Sequence, residues 1–390
     1  MTHLSPAIRS VEPYPFEELD RRVAAARAAG REIVDLGVGD PRDETPAFIR
    51  EALVRALEPV SSYPRAAGLP ELRRAIVGWV ERRFGVALDP DRHVLPTLGS
   101  KEVVFALAQY VLDPGAGKDT VVVTSPGYPI PERGARFAGA RVLALPLAAE
   151  RGFLPDLDAL DRAEWDRVAL LWLNYPNNPT GAIAPLEFLR AAAERCRAHD
   201  ALLASDEAYC ELWFGPTPPP SALQVGDLAG IVALHTLSKR SSMTGYRSGF
   251  LAGDPELLAA IRRLRPSVGV TPQLFVQRAS VAAWNDERHV EEARARYAER
   301  RAAFLDLFAR HGIDVAGGDG TFYLWARVPE GRTSLAWALE LLDRAGVVVS
   351  PGSFFGPEGE GFVRIALVPT IEVCRRAIAA LDQALEAVRA

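Results

Sequence analysis

Short apolar runs at 120–124, 141–145, 168–173, 201–205 and 231–234 alternate with helical patterns, and this alternation constrains the fold most tightly. Each run has the length of a buried strand, while stretches such as 185–199 place apolar residues at helical spacing. Strands alternating with helices predict an α/β fold with a mostly parallel, doubly wound sheet. Upstream, the chain reads as a helix over 16–29 stopped by Gly30, a strand over 33–36, and the turn-rich loop Gly37-Val38-Gly39-Asp40-Pro41. Helices are expected at 46–57 and Pro70–Phe84. The texture changes near residue 286, where a long charged helix over 288–311 begins. Strands at 322–327, 347–349 and 362–367, a helix at 334–345 and a last helix from 371 then make a smaller α+β unit. We expect a large domain over 41–285, and a small domain of 286–390 with 1–40 folded back onto it.

Composition narrows the function classes. The 390 residues are 48% hydrophobic and 24% charged, enough apolar material for a sizeable core. A formal net charge of −5 without a basic tract argues against nucleic acid as a partner. No stretch approaches the ~18 apolar residues of a membrane helix. The N-terminus lacks the apolar segment of a signal peptide. Three cysteines, Cys196, Cys210 and Cys374, and six histidines show neither metal-ligand spacing nor a disulfide framework. No metal is expected, and a reducing cytoplasm is the expected location.

The chemistry concentrates in residues 235–250. The apolar run 231–234 leads into Thr236, Ser238 and Lys239, and a loop then carries Gly245 and Arg247. Open α/β sheets bind ligands at the carboxyl ends of their strands. A lysine placed there is partly desolvated, which lowers its pKa and frees an amine nucleophile. The planar guanidinium of Arg247 suits a phosphate. Hydroxyls and an arginine beside a reactive lysine fit a phosphorylated aldehyde cofactor, pyridoxal 5′-phosphate. The alternative is a surface loop with a solvated lysine and arginine.

Other residues fit the same ligand. Asp206 ends the run before Lys239, so its carboxylate can face a pyridine nitrogen and keep it protonated, or simply cap the following turn. Tyr209 can donate to the cofactor's ring oxygen, or be a buried tyrosine with a satisfied hydroxyl. Asn178, in Asn177-Asn178-Pro179-Thr180-Gly181, can donate to the same oxygen, or belong to a plain turn. Gly99 and Ser100 form a turn entering a helix, whose first N–H groups make an anion site. Arg364 interrupts the apolar run Phe362-Val363-Arg364-Ile365-Ala366-Leu367. Facing a cleft, its fork suits a carboxylate; facing outward, it is one polar position of an alternating strand.

These motifs together resemble the class I/II aminotransferases of the aspartate aminotransferase fold. In that family an asparagine, an aspartate, a tyrosine and a lysine recur in the order of Asn178, Asp206, Tyr209 and Lys239. Thr236 stands where the family usually has Ser or Gly, and Ser248 where it usually has an aliphatic residue. The resemblance implies that Gly99, Ser100 and the backbone of Lys101 cradle the phosphate, closed by Thr236 and Arg247. It implies that Tyr128 stacks on the pyridine ring and that Tyr63 reaches the phosphate of the neighbouring subunit, which makes a homodimer with shared sites. Gly39 resembles the mobile N-terminal loop that approaches the substrate carboxylate, where Arg364 binds it. The implied activity is a ping-pong transfer between an amino acid and a keto acid, with Lys239 as general base.

Within the family, Tyr14-Pro15-Phe16, Gly320-Thr321-Phe322-Tyr323-Leu324-Trp325 and Ser350-Pro351-Gly352-Ser353-Phe354-Phe355-Gly356 look like succinyldiaminopimelate transaminases. That likeness implies N-succinyl-LL-2-amino-6-oxopimelate as amino acceptor and glutamate as donor, in lysine biosynthesis. Arg65 and Arg240 are then candidates for the remote carboxylates, the alternative for each being a solvated or structural arginine. Aspartate, alanine or LL-diaminopimelate as substrate, a C–S lyase of the same fold, and a non-enzymatic effector domain are the alternatives.

Overall fold

A computed structural model describes residues 2–9 and 17–389. The stretch Tyr14-Pro15-Phe16 and the expected helix start at 16 lie outside the described residues. The strands are β1 (Val34–Asp35), β2 (Val94–Thr97), β3 (Thr120–Ser125), β4 (Arg141–Pro146), β5 (Val168–Asn174), β6 (Leu202–Asp206) and β7 (Ile231–Thr236). They continue with β8 (Gly249–Gly253), β9 (Val315–Ala316), β10 (Tyr323–Arg327), β11 (Val347–Val348), β12 (Ser350–Pro351) and β13 (Phe362–Ala366).

Seven strands form the main sheet in the order β2-β8-β7-β6-β5-β3-β4. Strands β3 to β7 pair in parallel, and β5, β6 and β7 are buried along their whole lengths. Successive side chains of a strand point to opposite faces. Accordingly Leu202 and Ala204 join a core with Val103 and Leu107 of the helix Ser100–Val111. Leu203 joins the opposite core with Leu189, Ala192 and Cys196 of the helix Leu186–Ala198. Both faces are therefore covered, as a parallel sheet requires.

Two strands of this sheet, β2 and β8, were not among those expected. Strand β8 runs antiparallel to β2 and to β7. Its sequence Gly-Phe-Leu-Ala-Gly has few β-branched or large residues, so propensity conceals it. A Cβ at Gly253 would collide with the backbone of β7 at Ile231, so the close pairing there needs glycine.

A second sheet has the order β12-β13-β10-β9, and β1 pairs in parallel with β11. The latter pairing sets the segment after the helix Glu17–Ala28 against the C-terminal part of the chain. Phe304, Leu307, Phe322, Leu341, Ile365 and Leu381 share the core beneath this sheet. None of the helices in the described residues is long and apolar enough to cross a membrane.

Candidate active site

Because β3, β5, β6 and β7 are parallel, their carboxyl ends emerge on one edge of the sheet. Strand β3 lies between β5 and β4, so the connection from β4 to β5 passes over it and opens a crevice at that edge. A cavity of about 510 Å³ sits there. Gly39, Ser100, Lys101, Tyr128, Asn178 and Asp206 line it. So do Tyr209, Thr236, Lys239, Arg247 and Arg364. Thus the structure brings together residues from both sheets and the loop after β1.

The pairing register explains the floor of the cavity. Asn174 ends β5 directly opposite Asp206, which ends β6. Nδ2 of Asn174 donates to the carbonyl of Asp206 at 2.9 Å, and its Oδ1 accepts from the backbone N–H of Asn178 at 2.9 Å. Asn174 thereby fixes the loop that carries Asn178. Asp206 is buried, and its carboxylate makes no ion pair with any described residue. Burial pushes its carboxyl up to about 7; the Ala208 N–H opposes this shift and the charge of Glu207 adds to it.

Lys239 lies on the short helix Leu237–Arg240 that follows β7. Thr236 caps this turn, its Oγ1 accepting from the Ser238 N–H at 3.1 Å. Nζ of Lys239 donates to the carbonyl oxygen of Gly39. Burial pushes the ammonium down to about 8; Asp40 opposes this, while Arg364, Arg247 and Lys101 add to it. The amine is therefore much easier to deprotonate than a surface lysine.

Gly99, which does not itself line the cavity, precedes the helix Ser100–Val111 with φ +72°, a conformation glycine adopts without strain. A Cβ there would also stand 2.6 Å from Nη2 of Arg247. Arg247 donates to the carbonyls of Thr244 at 2.9 Å and Leu98 at 3.1 Å, which holds its guanidinium against this helix start. Helix-start N–H groups, hydroxyls and a fixed guanidinium converge as a phosphate site would require.

Arg364 on β13 closes the other side. Its Nη1 donates to Oδ1 of Asn178 at 2.8 Å, and its Nη2 donates to the carbonyl of Gly37. The guanidinium lies between the rings of Tyr323 at 4.2 Å and Phe355 at 4.5 Å. Tyr323 and Asn174 were not identified as functional residues from sequence. Tyr323 belongs to a stretch already noted for likeness, but only the pairing of β10 with β13 turns it toward Arg364.

Tyr63 stands apart. Its side chain is 100% exposed and lines a separate surface hollow with Val60, Phe275 and Arg278. Arg65 is exposed and does not line the cavity either. Of the two readings of Arg240, the structure has the structural one, and it does not serve a substrate carboxylate. It is buried, and it donates to the carbonyls of Ala283 and Asp286 and to the carboxylate of Glu287. Side chains flanking Lys239 on a helical turn diverge, so adjacency in sequence placed Arg240 in the core behind the site.

The residues present fit pyridoxal 5′-phosphate on one observation above all. Asp206 is a buried carboxylate lacking a cationic partner among the described residues, and it faces the cavity that holds Lys239. A protonated pyridine nitrogen supplies that partner. No group of His, Cys, Asp and Glu among the described residues is arranged to hold a metal.

Comparison with known proteins agrees with this geometry. Residues 31–381 match the family described as aminotransferase class I and II. The chain is 38% identical over 382 residues to an LL-diaminopimelate aminotransferase of Dehalococcoides mccartyi, covering 97% of this chain and 98% of that protein. It is 39% identical over 375 residues to an LL-diaminopimelate aminotransferase of Aquifex aeolicus, covering 95% and 96%. A single mutant of Thermus thermophilus aspartate aminotransferase superimposes with a TM-score of 0.90 at 31% identity, covering 98% of this chain and 100% of that one. The chain belongs to the class I and II aminotransferases, the pyridoxal 5′-phosphate-dependent transaminases of the aspartate aminotransferase fold.

Proposed function

We propose that this aminotransferase moves an amino group between glutamate and N-succinyl-LL-2-amino-6-oxopimelate. The observation that carries an amino acid and keto acid reaction is the Arg364–Asn178 contact at 2.8 Å beside Lys239 and Asp206. It supports this reading because a guanidinium fork, a lysine and a buried carboxylic acid share one cavity. The bound cofactor supplies the carbonyl that takes up the amino group and a ring that withdraws electrons from the substrate α-carbon.

In this reading Asp206 holds the proton on the ring nitrogen, and Asn178 and Tyr209 donate to the ring oxygen. Ser100, Thr236, Arg247 and the N–H groups around Gly99 and Lys101 hold the phosphate, and Tyr128 covers the ring. Arg364 binds the α-carboxylate, which orients the α-hydrogen toward Lys239. Nζ of Lys239 removes that proton; an amine lowered to about 8 is a competent base near neutral pH. The carbonyls of Gly37 and Gly39 accept from Arg364 and Lys239 in the free chain, so the loop that carries them yields when substrate binds. The protein works as a homodimer, with Tyr63 of the partner subunit completing the phosphate site.

The succinylated acceptor rests on likeness in the 320–325 and 350–356 stretches. Unsuccinylated LL-diaminopimelate is the second reading. It is favoured by the names of the relatives above and by Asp20 and Asp40, whose carboxylates line the cavity and suit a remote ammonium. Steady-state kcat/KM for the succinylated substrate, LL-diaminopimelate, aspartate and alanine decides. The first reading requires the succinylated substrate to lead. A lead for LL-diaminopimelate selects the second, and equal or better turnover of aspartate or alanine ends both.

A further inference from the structure

Tyr323 lies where three parts of the site meet. It is buried and lines the cavity. Its hydroxyl is 3.0 Å from that of Tyr209. Its ring carries the guanidinium of Arg364 at 4.2 Å. Its hydroxyl also occupies the place where a Cβ on Gly39 would sit. The placement follows from the sheet. Tyr323 pairs with Ala366 and Trp325 with Arg364, so Tyr323 and Arg364 are diagonal neighbours on one face.

A phenol has a single proton to donate. Burial pushes the Tyr209 phenol well above its ordinary range, with Tyr323 and Asp206 adding and Arg364 opposing, so it stays protonated. If that proton points into the cavity, the contact with Tyr323 exists only with Tyr323 as donor. If Tyr323 is absent, the Tyr209 hydroxyl loses the bond that selects this rotor.

We infer that Tyr323 is a positioning residue for the transamination: its hydroxyl donates to Tyr209 and so aims the Tyr209 proton at the cofactor's ring oxygen, while its ring seats Arg364 for the substrate carboxylate. The inference rests on the roles proposed above for Tyr209 and Arg364. It separates two functions of one side chain, which two substitutions can divide. Tyr323→Phe keeps the ring and removes the hydroxyl. Tyr323→Leu removes both.

The test uses the reconstituted holoenzyme, with Tyr209→Phe as reference. Three quantities are read: the pH at which the bound cofactor's visible absorbance changes, the cofactor dissociation constant, and kcat and KM for glutamate. The charged and titratable groups facing Tyr209 are Tyr323, Arg364 and Asp206, and those acting on Lys239 are Asp40, Arg364, Arg247 and Lys101, so the variants are compared under one buffer in which all of these but the substituted residue are unchanged. Losing a donor to the ring oxygen destabilises its phenolate, so Tyr209→Phe moves the absorbance change to higher pH. Tyr323→Phe should move it the same way by less, lower kcat roughly threefold to tenfold as loss of one neutral hydrogen bond does, and leave KM for glutamate within about twofold. Tyr323→Leu should in addition raise that KM roughly tenfold by removing a desolvated cation–π platform. If Tyr209→Phe moves the titration and Tyr323→Phe does not, Tyr323 is a packing residue and the inference falls while the reading of Tyr209 stands. If Tyr209→Phe leaves both titration and cofactor affinity unchanged, the reading of Tyr209 falls and the inference with it. A KM increase already complete in Tyr323→Phe would overturn the division between hydroxyl and ring.

Discussion

Nη1 of Arg364 donates to Oδ1 of Asn178 at 2.8 Å, joining β13 of the small sheet to the loop that follows β5 of the large one. The bond orients the Asn178 amide. With its oxygen engaged, the amide has its NH2 group left to donate toward the cavity it lines. One contact thus couples the residue proposed to bind the substrate carboxylate to a residue proposed to bind the cofactor.

Arg364→Lys keeps the charge and loses the fork that serves Asn178 and a carboxylate together. Both amino donor and keto acceptor present an α-carboxylate, so kcat/KM should fall for both. The expected drop is roughly tenfold to a hundredfold, from the loss of about 1.5–3 kcal/mol in a charged hydrogen bond. Steady-state kinetics with each substrate varied in turn checks this. A drop for only one substrate would mean that Arg364 does not serve the shared carboxylate.

Lys239→Ala should abolish the yellow colour of the holoenzyme and nearly all turnover. Borohydride reduction of the wild type followed by peptide mapping should find the cofactor on Lys239. Label on any other lysine refutes the assignment.

Asp206 gives a pH signature in the cofactor-free protein. Its folded pKa of about 7 lies above the ordinary 3.8, so the folded chain binds more protons between these values. Stability contributed by the protonated form is complete below about pH 4 and is lost as pH rises through about 7, at most on the order of 4 kcal/mol. Asp206→Asn should remove this decline from apoprotein urea unfolding measured across that window. The same substitution should weaken cofactor binding, because the ring nitrogen loses its anionic partner. Apoprotein curves with the same pH slope in wild type and variant would show that Asp206 is ionised throughout.

Tyr63 is fully exposed in the single chain, which is the state expected of a residue that serves a neighbour. Lys239→Ala and Tyr63→Phe chains, mixed under subunit exchange, should regain part of the activity that each lacks. In the heterodimer one site carries both lesions and the other carries neither. A fully active monomer by light scattering would end the idea.

Gly39→Ala places a methyl on the Tyr323 hydroxyl and 2.7 Å from its Cζ. Overpacking of this kind costs about 1–3 kcal/mol. The loop over 37–40 should be displaced from Lys239 and Arg364, and kcat/KM should fall by about tenfold or more. Wild-type kinetics in this variant would mean that the loop's seat against Tyr323 is unimportant for turnover.

Local signals in the sequence determined much of this protein. The helix Pro70–Phe84 was legible to the residue, because Pro70 opens it and Gly85 closes it in a left-handed conformation. Strands β3 to β7 were legible because each is a short apolar run between turn formers. That Lys239, Asp206, Asn178 and Arg247 would meet in one cavity was legible, because segments that follow parallel strands gather at the carboxyl edge of the sheet. Tertiary structure decided the rest, since it depends on which surfaces meet. Strand β8 is a strand through its hydrogen bonds to β2 and β7 and not through its small residues. Arg240 and Lys239 are neighbours in sequence, yet the turn Leu237–Arg240 sends one into the core and the other into the cavity. Tyr323 and Asn178 become parts of one site only because β13 sets Arg364 between them. Contacts between residues so distant in the chain carry no periodicity of their own, and only the packing of the two sheets specifies them.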